Sequence, residues 1–441
     1  MSADSPRAAA ARRLLRVEED GAHVARLGET DEAPRDARLV SEFVAGTTRH
    51  RRSLDFVLDH YYRGDPSRLD PILRQVLRVG LFELLVRETP PHAAVSEAVE
   101  AARSLLHPGA ARLVNGLLRA VARANDRGAL PAPSTGDPVE DLAVETSHPT
   151  WLVRRWLDRY GEDETRALLA TNNAPPRYSL RVNLLKTTVA HLGERLTALG
   201  VGWRQSDVLD DFVVAERLQP VIRGGVLEEG VCAVQDEAAG LVVRVLDPQP
   251  GERVLDGAAA PGGKAVYTAQ RMQDRGEVVA VDLHAARTAL IGQAAEAHGL
   301  TIVQAVAADL RAYAPAAPFD RVLLDAPCTG LGVLAKRADL RWNRQPEDVG
   351  ALVTLQDDLL DAAARHVRPG GLLVYSTCTL APEENAERVA AFLDRHPGFR
   401  REPVAGLVPE SMWTTEGDYA ALPHLHGTDG AYAARLRREG S

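Results

Sequence analysis

The first part of the chain repeats apolar residues at intervals of three or four positions. The repeat is visible in ARLVSEFVAGTTRH, LDFVLDHYY, DPILRQVLRVGLFELLVR and ARLVNGLLRAVAR, all between residues 5 and 123. Apolar residues at this spacing fall on one face of an α-helix, and that face packs against a core. The pattern therefore predicts an all-α domain over residues 1–130.

The helical repeat stops in ANDRGALPAPSTGDPVED, residues 124–141, which mixes proline, glycine, serine and acids without a period. This composition is typical of a linker, and we place the linker at residues 131–144. The next stretch joins a helix rich in Arg and Trp, SHPTWLVRRWLDRYG, to short apolar runs such as YSLRVNLLKT and GVLEEGVCAV. It predicts a small α+β subdomain over residues 145–230.

From residue 231 to residue 441, short apolar strands alternate with helices. The predicted strands are RVLD (253–256), VVAVD (278–282), TIVQAVAAD (301–309), DRVLLD (320–325) and LLVYST (372–377). Alternation of this kind is typical of a mostly parallel sheet covered by helices on both faces. The chain is therefore predicted to be multidomain, with an α/β, Rossmann-like domain at its end.

The composition of the chain argues against several classes of protein. The three cysteines are far apart and form no CxxC or Cys/His cluster, so we expect no disulfide framework and no metal site. The beginning of the chain lacks a signal-peptide core, and no apolar run approaches the length of a membrane span. We therefore expect a soluble, cytoplasmic protein that does not bind a membrane.

The charge of the chain is unevenly distributed. The formal net charge is -9, which by itself argues weakly against a nucleic-acid partner. Residues 1–130, however, carry 20 arginines against 18 acidic residues, so the excess acidity lies further along. Only three residues are lysines, and one of them, Lys264, lies in the motif described next.

Four of the predicted strands end in aspartate: Asp256, Asp282, Asp309 and Asp325. Ligands of such sheets bind beyond the carboxyl ends of the strands. One such acid is usually a helix cap or a turn residue, but four in succession favour a site. The first is followed by GAAAPGGKA, whose small residues let a ligand approach the backbone at a helix start.

The same loop has neither GxGxxG nor GxxxxGK[ST], which disfavours a dinucleotide or a nucleoside triphosphate. Asp282 is placed to accept hydrogen bonds from ribose hydroxyls, as acids at the end of the second strand do. A cofactor with a ribose but no pyrophosphate suggests S-adenosylmethionine. Asp309 could then hold the adenine amino group.

The last two predicted strands lead into DAPCTGLG, residues 325–332, and STCTLAPEEN, residues 376–385. A cysteine alone is more often a small buried apolar residue, but neighbouring strands would bring Cys328 and Cys378 to one edge of the cleft. Beside a methyl donor, a thiolate can add to carbon 6 of a pyrimidine and so activate carbon 5. The base must leave its stack to reach such a cleft.

These motifs resemble a known family. DGAAAPGGK, VDLHAAR, AADLR, DAPCTGLG, KRADLRW and YSTCTLAPEEN, in this order, are similar to the RsmB/Sun family of ribosomal RNA 5-methylcytosine methyltransferases. PPHAAVSEAVE and ARLVNGLLR resemble the NusB-like RNA-binding domain at the start of such proteins. The resemblance covers nearly the whole chain, and it implies methylation of a cytosine in small-subunit (16S) ribosomal RNA.

The resemblance also implies roles for individual residues. Cys378 would be the nucleophile, Cys328 would help to release the product, and Asp325 would contact the target base close to the cofactor. The remaining residues implied in S-adenosylmethionine binding are Ala258, Ala259, Ala260, Pro261, Gly262, Gly263, Lys264, Asp282 and Asp309. The role of Lys264 stays open, because a lysine at a helix start is equally often solvated.

Alternatives remain. An inactive NusB-like scaffold would bind RNA without methylating it, and a close variant of the enzyme would act on transfer RNA. An amino-group methylase is disfavoured because the chain has DAPC where such enzymes have NPPY. RNA is the expected partner, and the protein is expected to be a monomer. The helical domain and the α+β subdomain would bind the RNA. Further candidate contacts are Trp151, Arg154, Arg155, Arg341 and Trp342, but for each of them taken alone we favour a core or solvated position.

Overall fold

The computed structural model describes residues 5–19 and 34–440. The chain divides into two compact units. The first, called the helical unit below, consists of Met1–Ala174 and Leu334–Arg344. The second, the catalytic unit, consists of Pro175–Val333 and Gln345–Ser441. In the described part of the chain, no helix combines the length and the apolarity needed to cross a membrane.

The helical unit is built from amphipathic helices. Their bounds are α1 (Pro6–Glu19), α2 (Pro34–Arg49), α3 (Arg51–Tyr61), α4 (Pro71–Leu85), α5 (Pro91–Leu105), α6 (Pro108–Asn125), α7 (Pro138–Glu145) and α8 (Thr150–Asn173). Proline starts several of them, where its missing N–H has no intrahelical partner to lose. Asp70 caps α4 by accepting hydrogen bonds from the backbone N–H groups of Ile72 and Leu73.

Helix α4 lies at the centre of the core, and most of its residues are buried. Its buried charges are paired: Arg78 with Asp55 and Glu18, and Glu83 with Arg7. Such pairing is needed because a charge removed from water without a partner strongly destabilises the folded state. The all-α prediction for this region is confirmed.

The segment between the predicted domains contains a helix. Helix α7 starts within the predicted linker, where Asp137 caps it and Pro138 opens it. Its eight residues bury Leu142, Ala143 and Val144. The apolar repeat of so short a helix is hard to recognise among the surrounding prolines and glycines. Helix α8 also belongs to the helical unit.

Residues 334–344 also belong to the helical unit, although they follow the Cys328 motif. The guanidinium of Arg341, in short helix α14 (Leu340–Asn343), is fully buried and donates to the carbonyl oxygens of Arg49, Ser147 and Asn172. Burial, with Arg49 nearby, lowers the pKa of Arg341 to about 9. Arg341 is therefore a core residue, the interpretation favoured for it from the sequence, because a buried side chain bound to carbonyls cannot reach a phosphate.

The catalytic unit begins with a small antiparallel sheet in the order β2-β3-β1-β4. Its elements are β1 (Tyr178–Val182), α9 (Val189–Ala198), β2 (Trp203–Gln205), β3 (Phe212–Ala215), α10 (Gln219–Arg223) and β4 (Cys232–Val234). Apolar residues of β1, β3 and α9 form one core. Cys232 lies in that core, and burial raises its pKa to about 12.

The large sheet has the order β10-β12-β9-β8-β5-β6-β7, with β11 paired to β12. Its strands are β5 (Arg253–Asp256), β6 (Glu277–Asp282), β7 (Val303–Ala307), β8 (Phe319–Asp325), β9 (Val367–Thr377), β10 (Phe399–Glu402), β11 (Tyr419–Ala421) and β12 (Ala431–Arg438). The helices that accompany it are α11 (Glu237–Leu246), α12 (Gly263–Arg271), α13 (Ala285–His298), α15 (Pro346–His366), α16 (Ala386–Arg395) and α17 (Pro423–His426).

Strands β5 to β9 are parallel, and β12 runs antiparallel to β9. The Rossmann-like prediction is confirmed, whereas the antiparallel strands of the last 45 or so residues were not predicted. From β5 the chain proceeds to β6 and β7 on one side and then returns to β8 on the other. Such a reversal opens a crevice at the carboxyl ends of the two central strands, which are β5 and β8.

Candidate active site

The register between β8 and β9 brings the two cysteine loops together. Asp325 is the register partner of Ser376, so both strands end at the same level. Two and three residues later, the Sγ atoms of Cys378 and Cys328 lie 3.4 Å apart. Both cysteines are half-buried and carry free thiols. The two thiols therefore lie together at one edge of the sheet, as predicted.

A glycine keeps the two loops close. The backbone N–H of Gly332 donates to the carbonyl oxygen of Cys378 at 3.0 Å. A Cβ atom at Gly332 would lie 2.8 Å from that oxygen and 2.6 Å from the carbonyl oxygen of Gly430. Any side chain would therefore push the loops apart, which explains glycine at this position.

The proton on the thiol pair is unequally shared. The hydrogen bond to Cys378 is the largest cause that raises the pKa of Cys328 well above its usual value, followed by burial and by the charges of Cys378 and Glu384. The raised pKa favours the protonated form of Cys328, and a protonated Cys328 can donate to the sulfur of Cys378. The thiolate is the nucleophilic form of a cysteine.

Asp325 is held from two sides. Its Oδ2 accepts from Nζ of Lys264 at 2.6 Å, and its Oδ1 accepts from Oγ of Ser376 at 2.8 Å. Burial opposes the charge on Lys264, but Asp325, and then Cys378 and Asp256, outweigh it and raise its pKa. Lys264 is therefore a charged group beside Asp325 and Cys378, and the solvated alternative for Lys264 is wrong.

Asp256 ends β5 and is nearly inaccessible to solvent. Neither of its carboxyl oxygens has a hydrogen-bond partner of normal geometry among the described residues. Burial, followed by the charge of Asp325, raises the pKa of Asp256 to about 7. A buried carboxyl without a partner at the end of β5 is a group that a bound ligand could satisfy.

The small-residue loop from Ala258 to Lys264 joins β5 to α12. Gly262 has a φ of 107° and its Cβ position would lie 3.0 Å from Cα of Ile291, so only glycine fits without strain. The N–H of Ala260 donates to Oδ2 of Asp282 at 3.1 Å, which fixes the loop against the end of β6. Pro261 and Gly263 are exposed. Ala258 and Ala260 are half-buried, and Ala259 is buried.

The other two strand-end acids are partnered within the chain. Asp282 is buried and its Oδ1 also accepts from the N–H of His284 at 3.1 Å. Asp309 lies just beyond β7, where its Oδ2 accepts from Nη2 of Arg311 at 2.7 Å. Hydrogen bonds from Arg311 lower the pKa of Asp309, so its carboxylate is charged at neutral pH.

Several residues of the site had no role assigned from the sequence. Ser376 orients Asp325, and the side chains of Thr329, Gln356, Glu384 and Asn385 connect the two cysteine loops. Glu384 and Asn385 belong to the PEEN run of the motif STCTLAPEEN, which follows Cys378. In the structure Pro382–Glu384 form a single 3₁₀ turn before α16.

The catalytic unit has a mostly parallel sheet, a small-residue loop after β5, acids at the strand ends and a pair of thiols. Together these features are those of a Rossmann-type methyltransferase. Comparison with known proteins specifies the family. The family model of the 16S rRNA methyltransferase RsmB/F matches residues 243–437, the NusB family model matches residues 4–123, and the RsmF/B-like ferredoxin-like model matches residues 148–221.

Curated relatives cover most of the chain. It is 38% identical over 91% of its length to a probable ribosomal RNA small subunit methyltransferase B of Bacillus subtilis, of which 90% is covered. It is 34% identical to the ribosomal RNA small subunit methyltransferase B of Pseudomonas putida, with 98% of each chain covered. The crystal structure of PH0851 superposes with a TM-score of 0.81 and 29% identity, covering 99% of this chain and all of that one. This chain belongs to the RsmB/F methyltransferase family.

Proposed function

We propose that the protein transfers a methyl group from S-adenosylmethionine to carbon 5 of a cytosine in small-subunit (16S) ribosomal RNA, through a covalent adduct on Cys378. The observation that carries this proposal is the 3.4 Å separation of the thiols of Cys328 and Cys378 beside Asp325. The names of the relatives, ribosomal RNA small subunit methyltransferase B, support ribosomal RNA as the substrate.

The cofactor assignment rests on the crevice at β5 and β8. S-adenosylmethionine is a cation that supplies an electrophilic methyl group. The carboxyl of Asp256 has no hydrogen-bond partner among the described residues, and its raised pKa means that a cation bound nearby would favour its charged form. The loop from Ala258 to Lys264 leaves backbone exposed to a ligand at the start of α12, and Asp282 and Asp309 are the acids for the ribose and the adenine.

The first step on the base is addition of the Cys378 thiolate to carbon 6. The new S–C6 bond shifts the electron pair of the C5=C6 bond toward carbon 5, which becomes nucleophilic enough to accept the methyl group. Asp325 contacts the ring nitrogen, and the Lys264 ammonium bound to it supplies the proton that the nitrogen gains. When carbon 5 bonds the methyl group, the cofactor would keep the electron pair of the broken S–CH3 bond and leave as a neutral thioether, and the ring nitrogen returns its proton to Lys264. In this scheme Lys264 stabilises both the thiolate and the adduct and is unchanged over one turnover.

Release requires loss of the proton from carbon 5. The pair of electrons from that C–H bond re-forms the C5=C6 bond, the C6–S bond breaks, and Cys378 leaves as thiolate. Once Cys378 is bound to carbon 6 it no longer holds the charge that raises the pKa of Cys328. Cys328 can then lose its proton to solvent and take the proton from carbon 5, so each turnover releases one proton.

The exposed face of α6 supports an RNA substrate. Arg112, Arg119 and Arg123 are exposed, and their spacing of seven and four residues puts them on one face. None of the three forms an ion pair with any described residue, and α6 has no acidic residue between Pro108 and Asn125. We call these three residues the arginine face. Unpaired cations at helical spacing, over about 16 Å, suit a chain of phosphates.

The test combines trapping with mapping. RNA that contains 5-fluorocytosine cannot lose the substituent at carbon 5, so the wild-type protein should form an adduct that survives denaturation, and Cys378→Ala should form none. Bisulfite sequencing of RNA from a deletion strain should show loss of one or more methylated cytosines in small-subunit ribosomal RNA. Loss only in transfer RNA would favour the transfer-RNA variant, and no loss would favour the inactive scaffold.

A further inference from the structure

Glu384 is a buried carboxylate with no evident role in the chemistry above. It lies six residues after Cys378, and its side chain is completely excluded from solvent. Its Oε1 accepts from the backbone N–H of Thr329 at 2.9 Å and from Nε2 of Gln356 at 3.0 Å. Its Oε2 accepts from Oγ1 of Thr329 at 2.5 Å.

No described cation pairs with Glu384. The nearest arginine on α16, Arg388, instead bonds the carbonyl oxygen of Glu383 and the carboxylate of Asp357. A buried carboxylate satisfied only by neutral donors is unfavourable relative to a neutral side chain of the same shape. Retaining a charge there is expected where the charge itself has an effect on a neighbour.

The hydrogen bonds of Glu384 belong to a network that spans both cysteine loops. Thr329 is adjacent to Cys328, and its Oγ1 also lies 2.7 Å from Oγ1 of Thr379, which is adjacent to Cys378. Asn385 completes the link, because it accepts from Oγ1 of Thr377 at 2.5 Å and donates to the carbonyl oxygen of Thr379 at 3.0 Å. The residues flanking both thiols are therefore fixed to the segment that carries Glu384.

The charge of Glu384 acts on one thiol more than on the other. The charge of Glu384 is among the causes that raise the pKa of Cys328, whereas the charge of Cys378 is among those that raise the pKa of Lys264. Burial raises the pKa of Tyr375, which is close to Cys328 and Glu384, well above its usual value, so that group is neutral. Glu384 therefore places negative charge near Cys328, and Lys264 places positive charge near Cys378.

We propose that Glu384 is a positioning residue that holds the Cys328 loop against the Cys378 loop and keeps the shared proton on Cys328, which leaves Cys378 as the nucleophile of the pair. This inference rests on the proposed function, since it explains which of the two thiols is the nucleophile. The proton is exchanged within the pair, and no bond between heavy atoms changes. Lys264 thus places positive charge near Cys378, and Glu384 places negative charge near Cys328.

The test measures the reactivity of each thiol in the full-length protein. Glu384→Gln keeps the size of the side chain and removes its charge. Iodoacetamide alkylation is followed at each cysteine by mass spectrometry across a range of pH. Loss of the negative charge should lower the pH at which Cys328 reacts by at least about one unit, which is about a tenfold faster reaction at fixed pH below the midpoint.

Glu237 provides a matched control. It is also a buried glutamate of the catalytic unit, and it accepts hydrogen bonds from Ser179 and Ser206. Glu237→Gln should leave the alkylation profile of Cys328 unchanged. If the profiles of Glu384→Gln and Glu237→Gln coincide with that of the wild type, the proposal is overturned.

A second pair of variants covers the case in which Glu384→Gln does not fold. Thr329→Val removes the hydroxyl donor to Glu384, whereas Thr329→Ser keeps it. We expect Thr329→Val to lower kcat by about tenfold with KM for RNA unchanged, and Thr329→Ser to restore kcat to within about twofold. Equal kcat values for the two variants would contradict the proposal. The alkylation profile needs no RNA, so it can fail or succeed independently of the proposed methylation.

Discussion

The cleft at the ends of β8 and β9 and the arginine face of α6 use charge in opposite ways. In the cleft, Lys264 forms an ion pair with Asp325, and the buried carboxylate of Glu384 accepts hydrogen bonds from neutral donors. On α6, Arg112, Arg119 and Arg123 are exposed and form no ion pair with a described residue. Enclosed charges can tune the protons and nucleophiles of a reaction, whereas exposed cations can exchange counterions for phosphates. We therefore predict that the cleft controls kcat and that the arginine face controls the dissociation constant for RNA.

The largest expected effect follows from removal of the nucleophile. Cys378→Ala should lower kcat by at least about 10⁴-fold, because it removes the group that forms the bond to carbon 6. The dissociation constant for ribosomal RNA, measured by filter binding, should change by less than about threefold. A comparable loss of RNA affinity would show that catalysis in the cleft and RNA binding at the arginine face are not separate functions.

Removal of the second thiol should give a different defect. Cys328→Ala keeps the nucleophile but lacks the group that helps to release the product, so a covalent protein–RNA species should accumulate on denaturing gels. The turnover rate should fall by on the order of 10²-fold, the usual contribution of a proton-transfer group. Full turnover without an adduct would show that the 3.4 Å contact with Cys378 has no role in release.

Charge reversal on the arginine face should affect binding without affecting chemistry. Arg119→Glu with Arg123→Glu should weaken RNA binding by about tenfold or more, and should reduce the slope of log affinity against log salt by about 1.5. At saturating RNA, kcat should be unchanged. The affinity is measured at several salt concentrations.

The matched control for the arginine face reverses two exposed arginines that are already paired. Arg103 bonds Glu100, and Arg166 bonds Glu162. The double variant Arg103→Glu and Arg166→Glu changes the net charge by the same amount. Equal losses of affinity in the two double variants would mean that overall charge, rather than the arginine face, drives binding.

The smallest effect is expected at the third cysteine. Cys232 lies in the core of the small sheet, where burial raises its pKa to about 12 and leaves the thiol unreactive at neutral pH. Cys232→Ala should destabilise the protein by about 1 kcal/mol, as loss of one buried sulfur does, and should leave kcat unchanged. Thermal unfolding and methyl transfer are the two measurements, and a fall in kcat would contradict the distinction between core and cleft thiols.

Much of the fold could be predicted from the sequence because its signals are local. Helical repeats predicted the first helices, and alternating strands predicted the parallel sheet from β5 to β9. Helix α7 was missed because its eight residues lie among prolines and glycines. An arginine beside a tryptophan left Arg341 open as an RNA contact, and only the tertiary structure shows that long-range packing buries it among backbone carbonyls.

The sequence by itself determined the chemical groups of the site: two thiols, the acids at the strand ends and a lysine in a loop of small residues. Only the tertiary structure decided the surroundings of the two thiols, since Glu384 and Lys264 approach the pair from different elements. It also decided the distance between sulfur atoms that are 50 residues apart. The physical reason is that both are set by strand register and by hydrogen bonds between distant segments, and neither leaves a local pattern in the sequence.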